Sequence, residues 1–145
     1  MEILFQFVLA FFACIAFSII FNAPKKELPF CGLSGSVSWG VYFVINQMFS
    51  QQVMATFFAA LVVTILCRFL SSIRLAPSTM YHIAGILPLV PGMNIYNAMS
   101  GILSNDLLYC FGQGVMALKL AAVIAIGSIL VLSLPQSMFY VKQKP

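Results

Sequence analysis

Gly85-Ile86-Leu87-Pro88-Leu89-Val90-Pro91-Gly92-Met93-Asn94-Ile95-Tyr96 sets two prolines, a glycine and polar side chains in the middle of a lipid-compatible stretch. Proline lacks the helix donor and frees a carbonyl one turn back. In hydrocarbon those freed groups need partners, so an interrupted helix persists only where protein or a water-filled cavity receives it. Transporters build solute sites near the bilayer midplane from such discontinuous helices. The stretch therefore points to solute transport.

The surrounding composition fixes the class. Hydrophobic residues make up 62% of the chain and charged residues 7%, and the mean hydropathy is +1.05. Soluble domains carry roughly 25% charged residues, so this chain has too little polar surface to coat a water-soluble globule. It reads as an all-α integral membrane protein, one transmembrane domain over 1–145. The net charge of +4 would suggest nucleic acid in a soluble chain. Here the basic residues sit at span ends, where they set orientation, and no nucleic-acid partner is expected.

A spanning helix needs about 20 mostly apolar residues. The expected spans are 3–21, 30–49, 53–70, 79–103 and 107–134, the last clearest over 113–134. Met1-Glu2 has no basic region behind it, so the first apolar run reads as a membrane helix and not as a cleaved signal peptide. The segment 30–49, with Gly32, Gly35, Gly40, Ser34, Ser36 and Ser38, is the one a plain hydropathy count rejects. Charge argues for keeping it. With five spans, Lys25, Lys26, Arg68, Arg74, Lys142 and Lys144 all fall on one side, and Glu2 and Asp106 on the other. The positive-inside rule makes the basic side cytoplasmic. The expectation is a five-span bundle with a Pro-Gly-broken fourth helix, N-terminus outside and C-terminus inside.

Gly32, Ser36 and Gly40 recur every four residues and form a helix-packing stripe. Ala10, Cys14 and Ser18 on the first span and Ala117, Ala121 and Ala125 on the fifth form two more. They serve packing within the chain or against a partner. Ala23-Pro24 followed by Gly32, and Ala76-Pro77 followed by Gly85, repeat at one offset, a weak sign of a duplicated hairpin. Cys14, Cys31, Cys67 and Cys110 are scattered without C-x-x-C spacing, which suits buried thiols better than a metal site or disulfides.

The solute-binding candidates are Pro88, Pro91, Gly92, Asn94, Tyr96, Asn97 and Ser100. Pro91 suits a first helical turn. The second half-helix would then aim free N–H groups inward, a perch for a carboxylate. Gly92 admits a ligand to the backbone, and the amides and hydroxyls offer hydrogen bonds. A kinked packing helix whose polar groups satisfy one another is the plainer alternative. His82, the only histidine, relays protons or is merely hydrogen-bonded. Lys119 lies roughly 24 Å from Pro135 along a helix at 1.5 Å per residue. It snorkels to the outer interface or attracts an anion on the pathway.

Glu2, Glu27 and Asp106 are the only acids and are placed at loops or ends, so no buried carboxylate is expected. A second subunit would then supply any proton-coupling group. No nucleotide loop, metal cluster or nucleophile–base pair appears, so neither enzyme chemistry nor a cofactor is expected.

Phe21-Asn22-Ala23-Pro24, Cys31-Gly32-Leu33-Ser34-Gly35, Pro77, and above all Ile86-Leu87-Pro88-Leu89-Val90-Pro91-Gly92 with Tyr96 resemble the threonine/serine exporter family. More narrowly, they resemble its small five-span subunit. The resemblance implies export of threonine, serine or related small carboxylates across the bacterial cytoplasmic membrane. It also implies a larger five-span partner subunit with a cytosolic region, whose spans run the opposite way. A non-transporting scaffold subunit and a small homo-oligomeric channel remain the alternatives.

Overall fold

The computed structural model describes residues 2–135, with side chains from Leu4 onward. Among these residues every regular element is helical. The order is α1 (Glu2–Ile20), α2 (Leu28–Phe49), α3 (Gln52–Arg74), α4 (Ser78–Ile86), a single 3-10 turn (Leu87–Leu89), α5 (Gly92–Leu103) and α6 (Leu107–Leu132). Each turn between antiparallel helices contains one residue in the left-handed region. These are Asn22 at φ 56°, Ser50 at 51°, Leu75 at 53° and Asn105 at 61°. Such a residue releases the chain from a helix end and reverses it. Asn22 and Leu75 both directly precede an Ala-Pro pair, so the first and third turns share backbone form as well as sequence.

The glycine- and serine-rich α2 is the hub of the bundle, packing on α1, α3, α4 and the 3-10 turn. Its small residues are what let four neighbours approach. A Cβ added at Gly32 would lie 2.8 Å from the Phe11 ring and 2.9 Å from Ile15. At Gly40 it would strike the Phe7 ring, and at Gly35 the Cys14 thiol. Ser36, between them, donates to the Phe7 carbonyl at 3.3 Å and the Gly32 carbonyl at 3.1 Å. The stripe Gly32, Ser36, Gly40 therefore lies against α1. On α4, a Cβ at Gly85 would run into Val63 of α3. Extra methylenes in packing this close cost about 1–3 kcal/mol.

The helices α2, α3 and α6 are each long and apolar enough to cross a membrane. The glycine- and serine-rich segment is thus apolar enough as well as long enough to cross, as the 22-residue helix α2. Residues Ser78–Leu89 and Gly92–Leu103 form a bent pair, a broken span or a re-entrant loop, and Leu4–Ile20 is a shorter apolar helix. Lys25, Lys26 and Arg74 gather at the end carrying the first and third turns; Lys142 and Lys144 lie outside the described residues.

One expectation needs correction. Glu27 is not a solvated loop acid; it is 9% exposed. It accepts from Arg74 Nη2 at 2.8 Å, Arg74 Nε at 3.1 Å and the Tyr81 hydroxyl at 2.6 Å. These three bonds hold its carboxyl below the usual carboxylate range, against a smaller opposing effect of burial. Arg74 and Tyr81 are far along the chain, so nothing near Glu27 in sequence reveals them. On α6 the stripe Ala117, Ala121, Ala125 is not the face that packs on the chain's own helices. The buried face of α6 is Leu120, Ile124, Gly127, Ser128 and Val131, whereas Ala121 and Ala125 are exposed and Ala117 is half-buried. The alanine stripe does not pack inside the chain. Instead Gly127 sits on Ala60 and the Phe57 carbonyl of α3.

Arg68, read as a loop cation, is 8% exposed within α3. It donates to the carbonyls of Val131 and Leu134, the latter at 2.8 Å, and so closes the C-terminal end of α6. The last carbonyls of a helix lack intrahelical partners and carry the negative end of its dipole, so a guanidinium fits there.

Candidate functional site

The break follows from its prolines. The ring of Pro91 disfavours helical backbone in the preceding residue, and Val90 is extended at φ −60°, ψ 129°. The helix α4 ends at Ile86, one 3-10 turn carries Pro88, and α5 starts afresh at Gly92, bent by 52° from the preceding segment. Pro91 caps α5 from just outside its first turn, with its carbonyl accepting from Ile95 N–H at 3.1 Å. Gly92 N–H turns back to the Val90 carbonyl at 2.7 Å. The amides of Met93 and Asn94 have no backbone acceptor among the described residues. Ser78 to Leu89 climbs roughly 18 Å at 1.5 Å per residue.

A cavity of about 190 Å³ opens at this point. Its floor is the break itself, Pro88 to Asn94, and its walls come from Trp39 and Tyr42 of α2, Gln52 and Thr56 of α3, and Leu120 of α6. The volume suits a small solute, well below the 300–1,000 Å³ typical of drug-sized sites. Thr56 donates its hydroxyl proton to the Gln52 carbonyl at 2.8 Å, so its oxygen remains an acceptor. Asn94 Nδ2 donates to Gln113 Oε1 of α6 at 3.0 Å, and the Asn94 carbonyl oxygen remains an acceptor too. A Cβ at Gly92 would meet nothing within 4 Å. Packing therefore does not demand glycine here, and Gly92 is both exposed and part of the cavity lining.

Trp39 and Pro88 also line a second cavity, about 290 Å³, shared with Gln6, Leu9, Ala10 and Ala13 of α1. Trp39 Nε1 donates to Gln6 Oε1 at 3.3 Å, and its ring lies 5.4 Å from that of Tyr42. The indole and the proline thus border both the cavity at the break and this open groove against α1. A third cavity of about 250 Å³ lies at the basic end, between the turn Phe21–Pro24 and Pro77, Met80 and Ile83.

Of the sequence-derived candidates, Pro88, Pro91, Gly92 and Asn94 meet at the first cavity. Tyr96, Asn97 and Ser100 do not line it. Tyr96 lies two residues from Asn94, about 200° around the helix, and is 68% exposed. Ser100, one turn further, is exposed as well, and Asn97 is half-buried. His82 is half-buried, with Nε2 3.1 Å from Thr64 Oγ1. Thr64 gives its only proton to the Ala60 carbonyl at 2.6 Å, so His82 Nε2 is the donor. That bond ties α4 to α3 and places the imidazole outside the cavity lining. Lys119 is exposed on α6. Sequence reasoning did not reach Gln52 and Thr56. Their only local signal is polarity at the start of an apolar helix, which reads as an ordinary interfacial turn.

A profile described as Threonine/Serine exporter, ThrE matches residues 6–134. The chain belongs to the threonine/serine exporter family. This exporter-family chain is a membrane protein of a transporter family. It is similar to an uncharacterized protein of Haemophilus influenzae, 28% identical over 151 residues, covering 100% of this chain and 50% of that relative. The chain thus spans about half the length of the curated relative it matches. No solved structure matches it. Among the described residues no group of His, Cys, Asp or Glu could hold a metal ion.

Proposed function

We propose that this chain is a small membrane subunit of a heteromeric exporter of threonine, serine or related small carboxylates, in the bacterial cytoplasmic membrane. It forms the pathway with a larger partner subunit. The observation that carries the reading is the cavity at the helix break. There the unpaired first-turn amides of α5 face a space bounded by Thr56, Gln52, Tyr42 and Asn94. Amides at a helix N-terminus suit a carboxylate, and the hydroxyl and side-chain amides suit the ammonium and hydroxyl of a small amino acid. In this reading the bundle has five spans: α1, α2, α3, the broken α4–α5 unit, and α6. The N-terminus is outside and the C-terminus inside.

A pathway shared between two chains explains why Tyr96 and Ser100 face outward from α5. Both would border the solute path only when a partner closes it.

The test is efflux of preloaded threonine from cells expressing this chain, a candidate larger subunit, or both. The reading expects efflux from the pair alone. Full efflux from this chain by itself would overturn the heteromeric assignment. Equal efflux from the partner alone and from the pair would make this chain a scaffold.

A further inference from the structure

We infer that the exposed seam of α6 around Lys119 receives a membrane helix of a different chain, and that this helix carries an Asp or Glu at the depth of Lys119. The inference rests on the heteromeric reading and specifies the surface at which the partner docks.

Three observations converge on this face. The first is spacing. Gly112, Val115, Lys119, Ala122 and Ile126 follow one another at intervals of three and four residues. They form one seam of the kind that seats a neighbouring helix. All are exposed except half-buried Val115, and none belongs to the face that α6 buries on α3. A Cβ at Gly112 would meet nothing within 4 Å. Gly112 and Ala122 flank the lysine with the small side chains that let helix backbones approach in lipid.

The second is depth. Lys119 is twelve residues from Leu107 and thirteen from Leu132, roughly 18–20 Å from either end of α6 at 1.5 Å per residue. Among the described residues it makes no hydrogen bond or ion pair. An ammonium near the middle of the bilayer is costly when it faces lipid, and such groups pair with an opposite charge or face water.

The third is the supply of counter-charge. The chain has three acids, Glu2, Glu27 and Asp106. Glu27 is held by Arg74 and Tyr81 at the basic end. Asp106 caps the first turn of α6, accepting from Tyr109 N–H at 3.0 Å, and Glu2 begins α1. None stands at the depth of Lys119. A second copy of this chain in the same orientation brings its acids to the same wrong depths, so a homodimer leaves the lysine unpaired. The carboxylate is therefore assigned to the partner helix.

The test co-expresses the tagged full chain with the candidate larger membrane subunit. A photo-crosslinking phenylalanine analogue is placed at Ala122, and Lys119→Glu, Lys119→Arg and Lys119→Met are compared. The expected crosslinked peptide belongs to a partner membrane helix holding an acid. Lys119→Glu should lower co-purified partner at least about tenfold, as like charges facing each other do, and Lys119→Arg should retain it. Lysine at the partner's acid should restore assembly with Lys119→Glu. Circular dichroism of each variant alone should match the unmodified chain, because Lys119 is exposed and makes no hydrogen bond or ion pair among the described residues. Crosslinks to lipid or to a second copy overturn the inference. Unchanged partner yield with Lys119→Glu also overturns it, and loss of efflux in that case would make Lys119 a solute contact. Threonine efflux from the same cells separates the two readings. An intact, charge-dependent complex that moves no threonine removes the substrate assignment and leaves the docking surface standing.

Discussion

Asn94 Nδ2 lies 3.0 Å from Gln113 Oε1, and this bond joins the first turn of α5 to α6 beside the cavity. It fixes the Asn94 carbonyl oxygen as an acceptor at the helix break. Gln113→Leu should release that amide while leaving Asn94 in place. A neutral hydrogen bond contributes about 0.5–1.5 kcal/mol, so the fold should survive. Threonine efflux from the assembled complex should fall in apparent affinity more than in maximal rate, measured across a range of internal threonine.

Gly92 and Gly101 make a paired comparison on one helix. At Gly92 a new side chain meets nothing within 4 Å. Gly92→Leu should therefore keep the melting temperature within a few degrees while blocking the cavity and abolishing efflux. At Gly101 a Cβ would lie 2.9 Å from the backbone nitrogen of Cys110. Backbone cannot move aside as a side chain can, so Gly101→Leu should separate α5 from α6. Cysteine crosslinking between the two helices reads that separation directly.

Trp39 borders two cavities that also share Pro88. Trp39→Ala should join them and raise leak of small solutes through the assembled complex. The predicted signature is faster passive equilibration of labelled threonine with no gain in export against a gradient. Unchanged leak would show that the indole is only a packing group.

Glu27 gives a pH prediction. Its folded carboxyl titrates below its ordinary value because Arg74 and Tyr81 bond the charged form. The associated stability is fully present above the unfolded carboxylate range, about 4.3. It is lost as pH falls through the folded value. Thermal melts in detergent should therefore decline below about pH 4.3, and Glu27→Gln should flatten that decline. Tyr81→Phe removes the 2.6 Å bond from a fully buried hydroxyl, for which a loss of about 1.5–3 kcal/mol is expected.

The helix break and the small-residue face of α2 were legible because both are local. Proline chemistry acts within one turn, and a four-residue repeat of small side chains falls on one helix face wherever the helix packs. The rest depended on which faces meet. Ala117, Ala121 and Ala125 have the same pattern as Gly32, Ser36 and Gly40, yet α6 turns Leu120 and Ile124 inward and leaves Ala121 and Ala125 outside. Glu27 sits beside two lysines and looks solvated until Arg74 and Tyr81 come over it. Tyr96 and Asn94 are near neighbours in sequence and opposite in space. Gln52 and Thr56 became cavity walls only through the packing of α3 on the break.

The helix α5 packs on α6 and makes no comparable contact with another helix. Between Val90 and Gly92 the chain leaves regular helix, so little mechanical strain would pass from α5 into α4. The packing groups α1 to α4 with the C-terminal half of α6 as a block, and α5 with its N-terminal half as an arm, and the two groups are expected to open as separate units. Backbone amides in the arm should exchange with deuterium earlier than those of α2 and α3. During biogenesis the block is expected to consolidate first, with the arm ordering after it.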